Sequence, residues 1–574
     1  MRPRGLALLL AAAISALSLW LVYDHTRGDS LSTDEPIHIL SGWFSVASGS
    51  AIVNIEHPPF LKALSGLALL ALPIAPPPRE VPMRAEFPVF GRAFFFGNRV
   101  PVDTIVAVAR SPFLVLLGLL LALTFVAARR RYGDAAAVFA VGLLAFDPNI
   151  VAHAGVVHTD LGAALAFLAT VLAWERVRQQ PTLGRLVAAS LCLGLALAGK
   201  FSAVYLLPIL LIQTLMAAKG QADPGAAVGR DVVRLTGVCL GALVVVFLTY
   251  LLVTRHIRVA DEKQIIRDVV GAEFGAPRLA DRIASIADFS PAMAQYLGGL
   301  TAVVRQNAVG GGVNYLFGKL SVRGFPQYFF VAFAVKSTLA FLAVTAIALA
   351  AAVVRRFDFR EEIRLFLMPV GVLFLASIGT TYNIGIRHML PVYPFLALAG
   401  AAVLARVARE IGSARAKAAA AGMVILPLLS GFEIARIHPH ELSFFNALVG
   451  PERGRHILSD SNVDWGLDLK RLALSLKQRN VTDPTVAYFG ADTVEYRIGM
   501  PDFTVDPRVR GRLVAISAFY MAAGPEFLAF HGAWDSARAL ERLRKELNDR
   551  GRVIGRVGYS IDLYDLPPKE NASP

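Results

Sequence analysis

Long apolar segments separated by short charged loops constrain this chain more than any other feature of its sequence. Residues 5–23 carry no charge and are long enough to cross a bilayer as one helix. Ten further apolar segments lie near 112–128, 135–148, 156–174, 186–199, 201–217, 235–253, 327–354, 365–381, 388–405 and 418–435. The chain is 55% hydrophobic and only 17% charged, which is far from the composition of a soluble protein. The pattern predicts an α-helical polytopic membrane protein with about eleven transmembrane helices.

The distribution of basic residues predicts how these helices are oriented. Arg2 and Arg4 precede the first segment, so the positive-inside rule places the N-terminus in the cytoplasm. The loops that this orientation makes cytoplasmic contain Arg129, Arg130, Arg131, Arg176, Arg178, Arg185, Arg406 and Arg409. The short loop 147–155, predicted to lie outside, has no lysine or arginine. No small-x-small cleavage site follows the first segment, which favours an uncleaved helix over a signal peptide.

Three large segments are predicted to lie outside the cytoplasm. The first, 24–111, follows the first helix, and the second, 254–326, contains amphipathic pieces. The third begins near residue 436, where the chain becomes more polar. Its expected elements are strands at 485–489 and 512–519, a helix at 537–550 and a strand pair at 553–566. The sequence therefore predicts a multispanning membrane domain at 1–435 and a small extracytoplasmic α/β domain at 436–574.

Several ionisable residues in the apolar part of the chain share one predicted side of the membrane. Asp34 and Glu35 follow the first helix, and Asp160 begins a later one. The cations and histidines on the same side are His57, Lys62, His158, Lys200, Lys336, Arg387 and His388. A charge inside a membrane span is costly and needs a partner or a water-filled cavity. We therefore expect these side chains to meet in one polar hollow at the outer face.

Carboxylates beside several cations suit one kind of chemistry. Cations bind an anionic phosphate, which gains charge as a sugar–phosphate bond breaks. A carboxylate takes the proton from an acceptor hydroxyl. The chain has no glycine-rich phosphate loop followed by a lysine, so a nucleotide donor is not indicated. The residues therefore predict transfer of a sugar from a lipid-linked phosphate.

The same residues also have purely structural interpretations. Asp34, with Pro36 in the following turn, has the pattern of a helix N-cap, and Asp160 after Thr159 has it too. The lysines and Arg387 could simply extend to lipid headgroups. Neither interpretation explains why all these residues share one side of the membrane, which favours a functional site.

Seven short motifs, taken in order and each on the expected side, resemble a known group of enzymes. The motifs are Thr33-Asp34-Glu35, Glu56-His57-Pro58-Pro59, His158-Thr159-Asp160, Ala198-Gly199-Lys200-Phe201-Ser202, Tyr328 to Lys336, Gly385-Ile386-Arg387-His388 and Ser461-Asn462-Val463-Asp464-Trp465-Gly466. They are similar to those of the polyprenyl-phosphate-sugar-dependent glycosyltransferases of the GT-C architecture. That group includes the protein O-mannosyltransferases, of glycosyltransferase family 39 type, and the lipid A aminoarabinose transferases. The resemblance covers most of the chain and implies a GT-C-like fold.

The resemblance also implies roles for individual residues. Asp34 would be the general base, with Glu35 and Asp160 as further catalytic acidic residues. The residues expected to bind the donor phosphate are Lys200, Lys336, Arg387, His388, His57 and Lys62. The supporting residues would be His158, Asn462, Asp464 and Trp465.

The Glu56-His57 pair leaves two interpretations open. The aminoarabinose branch has Glu-Lys at this motif, so His57-Pro58-Pro59 with Lys62 is closer to the O-mannosyltransferase branch. A glutamate and a histidine can ligate a divalent metal ion, and Glu56 with His57 is the candidate pair. No ligand set of recognisable spacing accompanies it, so the alternative is a structural pair and an enzyme without a cofactor.

The predicted function is that of a membrane glycosyltransferase. It would move a hexosyl or pentosyl unit from a polyprenyl-phosphate carrier to a hydroxyl of an acceptor protein, glycan or lipid, as in mannosyltransferase-like protein O-linked glycosylation. The site would face the outside of a bacterial inner membrane, within the cell envelope. The net charge of +14 is explained by arginine-rich cytoplasmic loops, so no nucleic acid is expected as a partner. The alternative is a transporter or flippase of lipid-linked sugars, which predicts titratable residues at every depth and a repeat between halves.

Overall fold

The protein is mostly helical in a computed structural model that describes residues 3–567 apart from 52, 76–86, 220, 311, 355–357 and 411–412. The helices of the first half are α1 (Pro3–Gly28), α2 (Glu35–Ala47), α3 (Pro59–Leu69), α4 (Phe87–Phe96), α5 (Val102–Tyr132), α6 (Asp134–Ala145), α7 (Pro148–Ala154), α8 (Asp160–Gln179), α9 (Leu183–Gly199), α10 (Leu206–Ala218) and α11 (Pro224–Val253). A 3₁₀ turn, Phe201–Tyr205, leads into α10. Proline occupies the first turn of several of these helices, where its missing N–H has no helical partner to lose.

The second half begins with the segment 254–326 and continues into further apolar helices. Its helices are α12 (Val259–Ile266), α13 (Pro277–Ile286), α14 (Pro291–Val309), α15 (Tyr328–Lys336), α16 (Leu339–Val354), α17 (Arg360–Glu362), α18 (Met368–Ile378), α19 (Val392–Ala408), α20 (Ala414–Ile437), α21 (Gly450–Gly454), α22 (Leu469–Gln478), α23 (Val494–Ile498), α24 (Ala518–Phe530) and α25 (Trp534–Arg550). The strands are β1 (Asn314–Leu316), β2 (Lys319–Ser321), β3 (Thr485–Ala487), β4 (Leu513–Ser517), β5 (Arg552–Val557) and β6 (Ile561–Asp565). Short 3₁₀ turns at Ile386–Met389 and Asp460–Asn462 carry two of the motifs noted above.

Fewer helices meet a length-and-composition criterion for crossing a membrane than the eleven expected. Five helices of the described chain are long and apolar enough to cross a bilayer, and seven if each of two bent pairs is taken as one span. Segments expected at 186–199 and 388–405 form α9 and α19, which have only 17 residues each. The integral membrane character is supported, and the count of eleven is not confirmed.

The segment expected as one span at 327–354 is in fact two helices. α15 and α16 meet at a bend of 120°. The bend follows Lys336, whose Nζ donates to the backbone oxygens of Leu442 and Asn462, both at 2.7 Å. A helix breaks here because the ammonium and the freed backbone groups find partners in the neighbouring loops.

A second bend, of 64°, separates α6 from α7. The Asp147 carboxylate lies at the bend and accepts hydrogen bonds from the backbone N–H groups of Asn149 and Ile150, at 3.0 and 3.1 Å. This is an N-cap for α7, with Pro148 in its first turn. Both bends lie on the side of the bundle that carries the Asp34 motif, and they create room for polar groups there.

The C-terminal part of the chain contains the expected strands and helix. Its four-stranded sheet has the order β3-β4-β6-β5, with β3 and β4 parallel and the other neighbours antiparallel. One core between the sheet, α24 and α25 contains Phe489, Phe519 and Leu540. Leu320 of the β1–β2 hairpin packs against the same core, so the segment 254–326 and the C-terminal part are in contact.

Candidate functional site

Asp34 stands at the first turn of α2 but does not cap it. Its side chain makes no hydrogen bond to the helix backbone. Instead Oδ2 accepts a hydrogen bond of 2.9 Å from Nη1 of Arg387 and lies 3.6 Å from Nε2 of His158. The Asp34 side chain is 33% exposed, whereas that of Arg387 is only 3% exposed. The capping interpretation is therefore not supported, and Asp34 presents an open carboxylate on a buried guanidinium.

His158 links this pair to a second carboxylate. Its Nδ1 lies 2.5 Å from Oδ2 of Asp160, and the other Asp160 oxygen accepts from Nζ of Lys200. Nε2 of His158 lies 3.0 Å from Nη1 of Arg387. The imidazole of His158 therefore lies between Arg387 and Asp160 and connects the two carboxylates of the site. Asp160 itself is fully buried and does not cap its helix.

Arg387 is held by stacking as well as by charge. The centre of its guanidinium lies 4.2 Å from the centroid of the Trp465 ring. Asn462 Oδ1 accepts a hydrogen bond of 3.0 Å from the backbone N–H of Ile386, which fixes the backbone next to Arg387. A stacked guanidinium keeps its N–H edges free for in-plane acceptors, as a phosphate requires.

The charge around Asp34 keeps this carboxyl ionised. Burial would raise the pKa of Asp34, but the Arg387 guanidinium and the His158 ring outweigh it and hold that pKa well below its usual range. Burial, followed by the neighbouring His158 ring, lowers the pKa of both His38 and His57 well below the ordinary histidine value. Two neutral imidazoles therefore border the carboxylate at pH 7.

His38 is a residue of this site that sequence reasoning missed. Its ring centroid lies 4.7 Å from that of His158 and 4.8 Å from that of His57. His38 is buried, and its Nδ1 has no hydrogen-bond partner among the described residues. Its position four residues after Asp34 on a helical segment was the available signal, because residues i and i+4 share one helix face.

Glu35 has a different environment from Asp34. Its carboxylate forms a two-pronged ion pair with Arg110, at 2.7 and 2.6 Å, and also accepts from the backbone N–H groups of Ser32 and Val157. It is fully buried, so no acceptor hydroxyl reaches it. The geometry favours a structural role for Glu35, which ties the start of α2 to α5 and to the turn before Asp160. Arg110 was not singled out from the sequence, although an arginine at the edge of a predicted span was a signal.

Lys62 is buried against the loop that carries Glu56 and His57. Its Nζ donates to the backbone oxygens of Asn54 and His57, at 2.6 and 2.7 Å, and to Oδ1 of Asn54 at 3.2 Å. Three acceptors occupy the three N–H groups of the ammonium. These contacts favour a structural role over the predicted phosphate contact.

Replacement of Lys62 by methionine tests this interpretation. We expect Lys62→Met to destabilise the folded protein by about 2–4 kcal/mol, because buried carbonyl groups lose their donor. The measurement is the midpoint of thermal unfolding in detergent, with the exposed Lys319→Met as the control. An unchanged midpoint with a donor affinity reduced tenfold or more would instead support the phosphate contact.

The motif at 461–466 joins the site to the C-terminal part of the chain. The backbone oxygen of Trp465 accepts from the backbone N–H of Thr33 at 3.0 Å. Asp464 Oδ2 accepts from the backbone N–H of Phe519 at 3.2 Å, and burial raises the pKa of Asp464 to about 7. Asn462, through its backbone oxygen, is also one of the two anchors of Lys336. The Lys336 ammonium is therefore bound to backbone oxygens of this motif and of Leu442.

His388 and Glu56 are the remaining residues that the sequence predicted for the site. His388 is partly buried next to Arg387, and its Nε2 has no hydrogen-bond partner among the described residues. Glu56 accepts from Nδ2 of Asn54 at 3.3 Å. Within the described residues no group of three or more His, Cys, Asp or Glu side chains is arranged to hold a metal ion.

One part of the chain matches a family of known enzymes. Residues 102–250 match the family model described as dolichyl-phosphate-mannose-protein mannosyltransferase. The resemblance to the GT-C glycosyltransferases is confirmed. The matched segment contains Arg110, His158, Asp160 and Lys200, whereas Asp34 and Arg387 lie outside it.

Solved structures show more distant likenesses. The apo oligosaccharyltransferase of Archaeoglobus fulgidus aligns with 75% of this chain at 15% identity and a TM-score of 0.45, and the chain spans 55% of its length. ArnT from Cupriavidus metallidurans bound to undecaprenyl phosphate aligns with 97% of this chain, over 98% of its own, at 14% identity and a TM-score of 0.33. No curated protein sequence matches the chain. These likenesses are too distant to assign an activity.

Proposed function

We propose that this protein is a membrane glycosyltransferase that moves one sugar from a polyprenyl-phosphate carrier to a hydroxyl group of an acceptor. The observation that carries the proposal is the contact between the open Asp34 carboxylate and the buried Arg387 guanidinium. One group suits the proton that the acceptor loses, and the other suits the phosphate that the donor carries. The acceptor would be a protein, a glycan or another lipid.

Arg387 is proposed to bind the donor phosphate. In the free protein its Nη1 is shared between Asp34 and Nε2 of His158. A phosphate oxygen would compete for the same N–H edge, while Trp465 keeps the guanidinium plane in place. Negative charge grows on the phosphate as the bond to the sugar breaks, so a fixed guanidinium stabilises the transition state more than the bound donor.

Asp34 is proposed as the general base. The acceptor oxygen forms a bond to the anomeric carbon as the carbon–phosphate-oxygen bond breaks, and the hydroxyl proton passes to Asp34. Arg387 lowers the basicity of Asp34 in the free protein, so transfer of Arg387 to the phosphate would strengthen the base when it is needed. Attack from the side opposite the phosphate would invert the configuration at the anomeric carbon.

The other acidic residues of the site are proposed to have supporting roles. Glu35 forms a buried ion pair with Arg110, and Asp160 is paired with Lys200 and His158. Asp160 orients His158 and holds the Lys200 ammonium next to the site. Lys200 and His388 are proposed as secondary contacts for the phosphate.

We also propose the membrane arrangement that the sequence predicts. The site would lie at the outer face of a bacterial inner membrane, with eleven helices in the domain 1–435. The loops 24–111 and 254–326 and the C-terminal α/β domain 436–574 would all be extracytoplasmic. The supporting observation is that Asp34, Asp160 and Arg387 meet at one end of the helix bundle, far from the arginine-rich loops.

Cysteine labelling tests the sidedness. Cys192 and Cys239 would first be replaced by serine. Phe289 lies in the segment 254–326 and is 87% exposed. We expect Phe289→Cys to react with a membrane-impermeant maleimide in intact cells. Gln180→Cys, in an exposed loop predicted to be cytoplasmic, should react only after the cells are opened. The reverse labelling pattern would contradict the proposed orientation.

A transfer assay on purified protein tests the function itself. Protein in detergent would be incubated with a polyprenyl-phosphate-linked sugar and a mixture of acceptors, and the released polyprenyl phosphate would be measured. We expect release that depends on both protein and acceptor. Movement of intact lipid-linked sugar across vesicles, without release of polyprenyl phosphate, would favour the transporter instead.

A further inference from the structure

A cavity with basic residues around its edge lies at the end of the helix bundle opposite Asp34. It has a volume of about 510 Å³ and lies between the last turns of α5 and α8 and the first turns of α9. Its four basic lining residues are Arg130, Arg131, Arg176 and Arg185, and we call it the arginine pocket. Asp160 and Arg176 lie 16 positions apart in α8, so the two ends of the helix are separated by roughly 24 Å.

Three of the four arginines of the arginine pocket have no carboxylate partner among the described residues. Arg131 pairs with Glu361. Arg185 donates only to backbone oxygens, those of Arg176 and Gln180, both at 3.2 Å. Among the described residues no carboxylate forms an ion pair with Arg130, Arg176 or Arg185.

The opposite face of α8 shows that this lack of balance is local. Arg178, two residues beyond Arg176, pairs with Glu175 at 3.2 Å and with Asp231 at 2.9 Å. Glu175 is shared with Arg364, at 2.6 Å. Among the described residues, Arg178 and Arg364 on this face have carboxylate partners, whereas Arg130, Arg176 and Arg185 at the pocket have none. Clustered cations without acids favour an external anion.

The floor of the arginine pocket is apolar and continues along the outside of the bundle. It is formed by Leu123, Val126, Leu172, Ala173 and Ala188, with further small residues. Below it, Val115 and Leu119 of α5 are exposed on the same face as Val126. On α9 the exposed residues Leu183, Val187 and Leu191 repeat every four positions. An exposed apolar stripe thus leads from the cationic rim along two helices, which is the surface that acyl chains cover.

We propose that the arginine pocket binds the phosphate headgroup of an anionic diacyl phospholipid, with its acyl chains along this stripe. Guanidinium groups match phosphate oxygens in pairs, and basic pockets between membrane helices bind anionic headgroups. A soluble phosphate would satisfy the arginines but would leave the apolar floor and stripe uncovered. The arginines together with the apolar stripe therefore favour a lipid. The site is independent of glycosyl transfer at Asp34.

Native mass spectrometry of the purified full-length protein tests the proposal. The probes are phosphatidylglycerol and phosphatidylcholine of equal chain length, added in equal amounts. We expect wild-type protein to retain phosphatidylglycerol at least tenfold better. Each of Arg130→Gln, Arg176→Gln and Arg185→Gln should weaken that retention by about fivefold, and the triple variant should abolish the preference. Arg176→Lys, which keeps the charge, should retain most of it.

The control is Arg230→Gln, an exposed arginine of α11 outside the pocket, which should behave like wild type. If the triple variant does not fold, the comparison of Arg176→Gln with Arg176→Lys tests the proposal instead.

Equal retention of both lipids by wild-type protein would overturn the proposal. An unchanged preference for phosphatidylglycerol in Arg176→Gln would overturn it too. Displacement of phosphatidylglycerol by glycerol 3-phosphate would assign the pocket to a soluble anion, and stronger competition by a polyprenyl phosphate would assign it to the carrier.

Discussion

Replacement of Asp34 by asparagine is expected to reduce the rate of sugar transfer between about 10²- and 10⁴-fold, the range that loss of a general base produces. Asparagine has the same shape but cannot take the acceptor proton. Since the Asp34 side chain is one-third exposed and makes no helix cap, the fold should be retained. Donor binding should also be retained or strengthened, because Arg387 then loses its carboxylate competitor. The measurements are single-turnover transfer and donor affinity of purified protein.

The matched control for this prediction is Asp288→Asn. Asp288 lies between α13 and α14 in the segment 254–326 and pairs with Lys263, with its own side chain 63% exposed. We expect wild-type transfer from this variant. If Asp34→Asn also transfers sugar at the wild-type rate, Asp34 is not the base. If it transfers slowly and the donor no longer binds, Asp34 acts in binding rather than in proton transfer.

Replacement of Glu35 by glutamine is expected to destabilise the protein by about 3–5 kcal/mol, because it leaves the Arg110 guanidinium buried beside a neutral group. The two side chains are 0% and 3% exposed, so water cannot replace the lost charge. The measurement is the midpoint of thermal unfolding in detergent. Folded Glu35→Gln protein should transfer sugar far better than Asp34→Asn protein, although the two residues are adjacent.

The double variant Glu35→Gln/Arg110→Met isolates the charge pair. It removes the uncompensated guanidinium while the glutamine oxygen still accepts from the backbone, so it should be more stable than Glu35→Gln alone. Equal stability of the single and the double variant would mean that the loss comes from local packing. If Glu35→Gln is as stable as wild type but inactive, Glu35 has the catalytic role that the sequence predicted.

Much of the site was visible in the sequence because membrane topology sorts residues by depth. Asp34, His158, Asp160, Lys200 and Arg387 were expected at one face, and the structure brings all five together. The order of the apolar segments predicts this grouping, because it assigns each helix end to one side of the membrane. The strands within 485–489 and 512–519 were likewise expected from their composition, and they are present.

The roles of neighbouring residues could not be separated in this way. Consecutive residues at a helix start point in different directions, so Asp34 reaches Arg387 while Glu35 reaches Arg110. Lys62, Lys336 and Arg387 were equivalent as cations on one face. Backbone oxygens of the preceding loop bind Lys62, and backbone oxygens of distant loops bind Lys336, whereas Arg387 contacts the partly exposed Asp34 carboxylate.

The sequence by itself determined that the chain forms membrane helices and that its ionisable residues collect at one face, because apolar length and charge act locally along the chain. Only the tertiary structure decided which carboxylate stays open, where the segment 327–354 breaks, and which arginines lack an acid. Those outcomes depend on contacts such as the 353-residue separation between Asp34 and Arg387, which no local pattern encodes.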